Sequence, residues 1–322
     1  MVALLAMSTA SVYADDGKYT RSAMLEQGDS IQLFYGLDAF QQAYNAAADS
    51  GAVITLSKGE FLGGNEDFSI NKSVKIIGYY GFSSKPIEAT VFSGNVRPDA
   101  NYITIDGVYM NNLWLREANN LIVKHSWITN VRAYGYHYNT ILDQCVVQDF
   151  APNFFVNGDL IKITNSTLSN VGDFSDIDKN ANAAYIKNCV LYENNQRHSC
   201  YAMYENNIFI AAPDTYHLYT YYLAYPSIYL HNHFFMSDGF EWEENNRHEG
   251  NVAYAHRDVL PTNTYPAYPI NAPLGSDGTP VGPLGGSGFT DRPSIPRVTS
   301  QSIGFKPDSI GNINVKISVS AE

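Results

Sequence analysis

From Gly107 onward the chain repeats one short pattern of apolar and polar positions. The segments IDG at Gly107, VKHSWI at His125, LDQCVV at Gln144, ITNSTL at Asn165, IKNCVL at Asn188, YENNIF at Asn206, YLHNHF at His231 and WEENNR at Asn245 align on those central residues. The steps between centres are 18, 19, 21, 23, 18, 25 and 14 residues, a mean near 20. Repeats of that length with variable spacing predict a solenoid whose coils accept insertions at their corners. Two residues before the centre stand Ile105, Val123, Leu142, Ile163, Ile186, Tyr204 and Tyr229. Three residues after it stand Met110, Ile128, Val147, Leu168, Leu191, Phe209 and Phe234. Just before it come Asp106, Lys124, Asp143, Thr164, Lys187 and Glu205. This alternation within short runs is strand periodicity, and each coil holds at least two such runs. The last segment breaks the pattern with Glu243 and His248.

Strands one coil apart stack in parallel about 4.8 Å from each other, so like residues meet. Asn165, Asn188 and Asn206, with Asn207, Asn232 and Asn246 beside them, are predicted to form an amide ladder that satisfies the corner backbone. The coil apolar-x-apolar-x-Asn-small-x-apolar resembles the right-handed parallel β-helix, or pectin lyase-like, superfamily, home of pectate lyases and polygalacturonases. The resemblance covers roughly residues 50 to 257. The opening GLDAFQQAYNAAADSGAVITLSKGEF is similar to the start of that superfamily, where a short helix precedes the first coil. Phe40, Ala43, Tyr44 and Ala47 put one apolar stripe on this helix, which suits it to cover the open end of a solenoid. The expected fold is therefore all-β: a single-stranded right-handed parallel β-helix with a short N-terminal capping helix and a C-terminal β-strand tail.

The 322 residues fit one solenoid domain, and 45% hydrophobic content with 13% aromatic residues supplies its core. The net charge of -12, with 20 basic against 32 acidic residues and no run of Lys or Arg, argues against a nucleic-acid or anionic-membrane partner. Residues 1–14 read as a signal peptide, with an apolar core at Val2 to Met7 and Val12-Tyr13-Ala14 before Asp15. An exported protein is expected, periplasmic, cell-surface or extracellular. No later apolar run reaches the roughly 18 residues of a membrane span, and the expected state is a monomer. The β-helix with its cap is placed at 15–257, a Pro/Gly-rich linker at 258–293 and a strand or hairpin segment at 294–322. In that last segment Ile313, Val315, Ile317 and Val319 alternate with polar residues, and Val298 to Ile303 is the expected partner. Cys145 and Cys189 share a column with Ser166 between them, so they stand about 9.6 Å apart, beyond the roughly 7 Å reach of a disulfide. They and Cys200 are predicted to be free, and no zinc-ligand spacing is present.

The superfamily resemblance implies specific chemistry to look for. Members that cleave uronic acid polymers hold calcium with Asp or Glu and withdraw a proton with Lys or Arg; polygalacturonases use clustered aspartates with Gly-His-Gly and Arg-Ile-Lys motifs. Neither of those two motifs occurs. The Val123-Lys124-His125-Ser126 segment is only superficially similar to the histidine-bearing coil of pectate lyases, and His125 falls in the central column, a structural position. Asp173, Asp176 and Asp178 within GDFSDIDKN gather three carboxylates in a short loop, a calcium candidate. Lys187, Arg197 and His198 are the catalytic candidates. Two aromatic corners, AYGYHYN with Tyr134, Tyr136, His137 and Tyr138, and TYHLYTYYLAY with Tyr216, Tyr219 and Tyr222, suit stacking on sugar rings. Two functions are expected from these pieces. The first is binding of a polysaccharide or cell-surface glycan; the alternative is a polysaccharide lyase or glycoside hydrolase acting on uronic-acid-containing polysaccharide. Neither requires a cofactor, and calcium at the aspartate loop is the one candidate.

Overall fold

A computed structural model describes residues 21–62, 67–80, 82, 88–116, 119–134, 138–154, 161–171, 184–193, 202–211, 228–235, 247–254, 273–290, 297–303 and 315–320. The chain opens with β1 (Ser22–Gln27), β2 (Ser30–Tyr35) and α1 (Ala39–Ala46), followed by β3 (Ser50–Leu56), β4 (Gly59–Leu62) and β5 (Asp67–Ile70). Then come paired strands: β6 (Ser73–Ile77) and β7 (Thr90–Pro98), β8 (Thr104–Asp106) and β9 (Tyr109–Leu115), β10 (Ile122–Lys124) and β11 (Trp127–Tyr134), β12 (Ile141–Asp143) and β13 (Val146–Phe154). The pairs continue with β14 (Ile161–Thr164) and β15 (Thr167–Val171), β16 (Ala184–Lys187) and β17 (Val190–Glu193), β18 (Ala202–Glu205) and β19 (Ile208–Ala211). They end with β20 (Ile228–Leu230) and β21 (His233–Phe235), then β22 (Arg247–Glu249) and β23 (Val252–Tyr254). The first member of each pair joins a 12-stranded sheet, ordered β2-β1-β3-β6-β8-β10-β12-β14-β16-β18-β20-β22. The second joins an 11-stranded sheet, ordered β23-β21-β19-β17-β15-β13-β11-β9-β7-β4 with β5 also on β7. From β3 onward neighbours in both sheets run parallel, which makes the body a parallel β-solenoid.

The inward columns are those the periodicity predicts. Val123 pairs with Ile105 and Leu142, Ile163 with Ile186, and Tyr204 with Tyr229, all of them buried. Tyr204 and Tyr229 stack at 4.9 Å inside the coil. The last repeat needs correction. Leu230 pairs with Glu249, so the residue opposite His231 is Gly250, 19 positions on and not the 14 that Asn245 required. Each centre sits in the left-handed region, from His125 at φ 47 to Gly107 at φ 72, with Gly250 at φ 65. Glycine takes that conformation without strain, as at Gly107, so following asparagine alone led to the wrong residue.

The ladder holds at Asn207 and Asn232, while the central-column residues Asn165, Asn188 and Asn206 stand one position before it. A central residue donates its N–H to the next coil's backbone, as Asn165 does to the Lys187 carbonyl at 3.1 Å, but the residue after it has no such acceptor. Its side chain fills the gap. Val108 N–H donates to Ser126 Oγ, Cys145 N–H to Ser166 Oγ, Cys189 N–H to Asn207 Oδ1, Asn207 N–H to Asn232 Oδ1 and Asn232 N–H to Asn251 Oδ1. The backbone N–H groups of Ser126 and Ser166 donate in turn to the sulfurs of Cys145 and Cys189. The two cysteines are thus rungs of the ladder, free and fully buried, and burial pushes both thiols well above their ordinary range. Cys200 lies outside the described residues.

The N-terminal end is closed by more than the expected helix. α1 buries Ala39, Phe40, Ala43 and Tyr44, with the Phe40 ring 5.0 Å from both Phe68 and Phe92. Lys72 Nζ donates to the carbonyls of Tyr44 at 2.9 Å and Ala47 at 2.7 Å, satisfying groups the helix end leaves open. The β1–β2 hairpin adds antiparallel to β3 and extends the first sheet past the coils. At the other terminus β24 (Arg297–Ile303) and β25 (Val315–Ser320) form the expected antiparallel pair, a separate two-stranded sheet. Among the described residues no helix is long and apolar enough to cross a membrane.

Residues 273–290, within the segment expected to be a linker, are a strap laid back along the central column. Ser276 N–H donates to Asn206 Oδ1 at 3.0 Å, Asn165 Nδ2 donates to the Pro283 carbonyl at 3.0 Å, and Thr290 N–H donates to Gln144 Oε1 at 2.7 Å. Val281 packs on Val190 and Ile208 in a small apolar cluster of its own. The strap's glycines allow contact this close: a Cβ on Gly282 would lie 2.6 Å from Ile208 Cδ1, and one on Gly286 would lie 2.6 Å from Asn188 Nδ2.

Candidate functional site

Three successive coils turn a second left-handed corner before the first sheet, at Tyr102, Asn120 and Asn139, with φ of 59, 56 and 53. The chain stacks here as it does at the other corner. Tyr102 N–H donates to the Asn119 carbonyl at 3.0 Å, Asn120 N–H to the Tyr138 carbonyl at 2.8 Å, and Asn139 Nδ2 to Asn120 Oδ1 at 2.8 Å. Two aromatic side chains stand in solvent on this edge, Tyr102 at 69% exposure and Tyr138 at 44%. Asn119, which bridges to Tyr138, has a buried Oδ1 with no hydrogen-bond donor.

The strands that lead into these turns carry the complementary groups. Arg97 stands five residues before Tyr102, Trp114 five before Asn119, and Arg132 six before Tyr138, on three successive coils. The Arg97 guanidinium lies 4.7 Å from the centre of the Trp114 ring, and Arg132 is the cross-strand neighbour of Trp114 on its other side. Both guanidiniums have carboxylate partners, Arg97 with Asp67 and Arg132 with Asp149 at 2.8 Å. Closer to the first corner, Trp127 stacks on Tyr109 at 6.2 Å, and the Tyr109 hydroxyl lies 3.2 Å from Thr129 Oγ1. These strands therefore hold a partly exposed indole, with the Arg97 guanidinium over its ring, between two guanidinium–carboxylate pairs. Aromatic faces take up the C–H faces of sugars, while paired carboxylates, guanidiniums and amides exchange hydrogen bonds with hydroxyls.

Among the residues singled out in the sequence, Tyr138 lies on this edge and Tyr134 is the last residue of β11, two positions after Arg132. Tyr136, His137, Tyr216, Tyr219, Tyr222, Asp173, Asp176, Asp178, Arg197 and His198 lie outside the described residues. Among the described residues no cluster of His, Cys, Asp and Glu could hold a metal ion. Lys187 is held in a clasp on the outer side of the first sheet. Its Nζ is 3.0 Å from Glu205 Oε1 and 4.0 Å from Asp277 Oδ2 of the strap, while the Tyr185 hydroxyl donates to Glu205 Oε2. Burial alone would raise the Glu205 pKa, but the bonds from Tyr185 and Lys187 and the Lys187 charge hold it below the ordinary glutamate range. Burial, then the bond to Glu205 and its charge, push the Tyr185 hydroxyl up. His125 is buried with Nδ1 2.6 Å from Asp106 Oδ1, as its column position implied.

Arg97, Trp114, Arg132 and Tyr102 escaped the sequence reading because none belongs to an aromatic run. A signal for two of them was present, since Trp114 and Arg132 each stand seven residues after their coil centre, at Gly107 and His125. Comparison with family models, curated proteins and solved structures returns no match, so the side chains themselves carry the functional reading.

Proposed function

We propose that this chain is an exported glycan-binding protein of the right-handed, pectin lyase-like parallel β-helix type, acting as a monomer. The hand follows from the strong preference of parallel crossovers, and export from the apolar start and small residues before Asp15. The observation that carries the binding reading is Trp114, set between Arg97 and Arg132 on the coils whose second corners expose Tyr102 and Tyr138. Exposed tyrosines on a rigid solenoid edge bind sugars with little loss of side-chain freedom on association. The test is affinity electrophoresis and a glycan array with the wild-type protein and Trp114→Ala. Retention by at least one polysaccharide, weakened about tenfold by Trp114→Ala, supports the reading. Absence of retention on every polysaccharide would overturn it. Appearance of unsaturated uronate absorbance during the same incubation would move the protein to the polysaccharide lyases.

A further inference from the structure

Beyond the glycan reading and independent of it, we infer that β2 is a docking edge for another protein, taking an extended, basic segment as a further antiparallel strand of the first sheet. That sheet ends at β2, which pairs with β1 alone. The register runs unbroken from Ser30 opposite Gln27 to Tyr35 opposite Ser22, and just past it the Gly36 N–H donates to the Arg21 carbonyl at 2.9 Å. Backbone groups alternate in direction along such a strand. Ser30, Gln32, Phe34 and Gly36 therefore turn theirs to β1, and Ile31, Leu33 and Tyr35 turn theirs to the open side. The side chains of these same three residues share the outer face, since Phe34, of the alternate set, packs with Ala23 on the core. Ile31 and Tyr35 are 48% and 47% exposed. Sheet edges are ordinarily guarded by lysine, proline or a bulge, and β2, SIQLFY in unbroken register, has none of them. An edge left this open is a template for an added strand, whose main chain supplies the bonds.

Charge selects what can fill it. From residue 22 to residue 57 the chain carries Glu26, Asp29, Asp38 and Asp49 and no Lys, Arg or His. Asp29 lies in the turn before β2, and Asp38 follows Leu37 just past its other end. The flanking cations are engaged elsewhere. A Cβ on Gly59 would meet Arg21 Cγ at 3.2 Å, Lys58 Nζ lies 4.6 Å from the centre of the Tyr79 ring, and Lys72 Nζ is bound to the Tyr44 and Ala47 carbonyls. Carboxylates at both ends favour a strand with an apolar middle and Lys or Arg at its ends. They also disfavour a second copy of this chain. In the overlapped two-fold pairing Leu33 meets Leu33, and Asp29 of each copy falls opposite Leu37 of the other, beside Asp38, so like charges meet at both ends. The chain therefore stays a monomer while its edge remains open to a basic strand.

Amide hydrogen exchange of the full-length protein, alone and with the synthetic peptides KTVTVTK and ETVTVTE, tests this. The Ile31, Leu33 and Tyr35 amides should exchange freely in the protein alone, with Gln32 and Phe34, bonded to β1, as the protected control. The basic peptide should protect all three at about tenfold lower concentration than the acidic one. Ile31→Pro removes an outward N–H and no bond to β1, so it should weaken peptide binding at least about tenfold while the circular dichroism melt is unchanged. Asp29→Asn combined with Asp38→Asn keeps every bond in the sheet and should bring the two peptides within about threefold of each other. Protection in the protein alone, at every concentration, would mean that the chain covers its own edge, and protection rising with concentration would mean a second copy; either overturns the inference. Equal binding of the two peptides to the wild type overturns the basic partner, and protection by neither overturns the docking edge itself.

Discussion

The coil turns through left-handed corners on two edges, and the two are used in opposite ways. On the central edge Gln144, Asn165 and Asn206 bond to the strap, and Asn165, Asn188 and Asn206 are at most 3% exposed. On the second edge the same backbone conformation leaves Tyr102 69% and Tyr138 44% exposed. A left-handed residue turns its side chain out of the coil in either case. Whether that side chain becomes part of the packing or part of a surface depends on whether a distant piece of chain returns to cover it. The central edge also keeps two buried amide atoms unbonded, Asn188 Oδ1 and Asn206 Nδ2, which shows that the cover is tight but imperfectly matched.

The largest expected effect breaks both edges at once, through the core they share. Ile186 is fully buried between Ile163 and Tyr204, and Ile186→Ala should cost about 2 to 5 kcal/mol by leaving a cavity. Lys187→Ala, one residue away on the outer side, should cost about 1 kcal/mol or less, the range of a partly exposed ion pair. Urea denaturation of both variants checks the facing, and equal losses would show it to be wrong.

The next effect separates the edges. Gly282→Val would place a branched side chain where Ile208 already stands, on a backbone at φ 84, and should cost about 2 to 3 kcal/mol. Asn139→Ala on the second edge gives up one exposed bond to Asn120 and should cost about 1 kcal/mol or less. Limited proteolysis should find new cleavage near residues 273–290 only in Gly282→Val. Cleavage unchanged in that variant would mean the strap is not held where the geometry puts it.

The clasp at Lys187 makes the strapped edge sensitive to acid. Glu205 and Asp277 both have pKa values held below their ordinary range. For Glu205 burial works against the shift and the Tyr185 and Lys187 bonds prevail; for Asp277 a slight burial is outweighed by the bonds from Thr279 and the Lys187 charge. A carboxylate depressed on folding contributes stability that is complete above its unfolded pKa and is lost as the pH falls through the folded value. The strapped edge should therefore loosen as the pH falls below the ordinary carboxylate range, while the second edge should not respond through these groups. Glu205→Gln should flatten that part of the pH–stability curve. An acid limb as steep in Glu205→Gln as in the wild type would remove the clasp as its source.

How much of this the sequence disclosed depends on where each signal is written. The inward columns were legible because their partners recur at one spacing, so Ile163, Ile186 and Tyr204 announce one another. The ladder was read correctly at Asn207 and Asn232 but placed one residue early elsewhere, because Asn188 and Asn206 look like its members, while its other rungs include serines and cysteines such as Ser166 and Cys189. The Pro/Gly-rich composition left the strap free to run back along the solenoid or to link to a separate piece, but its partners were not legible, since they stand far from it: Ser276 meets Asn206 and Thr290 meets Gln144, pairings that no local pattern encodes. The second edge failed for a similar reason. Arg97, Trp114 and Arg132 are neighbours only across coils, and only Tyr138 stood in a run conspicuous enough to be chosen.

The smallest expected effect on stability is the most telling for the comparison. Tyr102 occupies a left-handed position that Asn120 and Asn139 fill on the next two coils, and a bulky residue there carries strain that asparagine largely avoids. If the second edge existed only to turn the chain, asparagine would serve better than tyrosine at this site. Tyr102→Asn is therefore expected to stabilise the fold by about 0.5 to 1 kcal/mol while weakening glycan retention about tenfold. The opposed signs would identify Tyr102 as a residue kept for binding at the expense of folding. If Tyr102→Asn instead lowers the denaturation midpoint, its ring contributes to packing, and the second edge is a corner like the first that happens to lie uncovered.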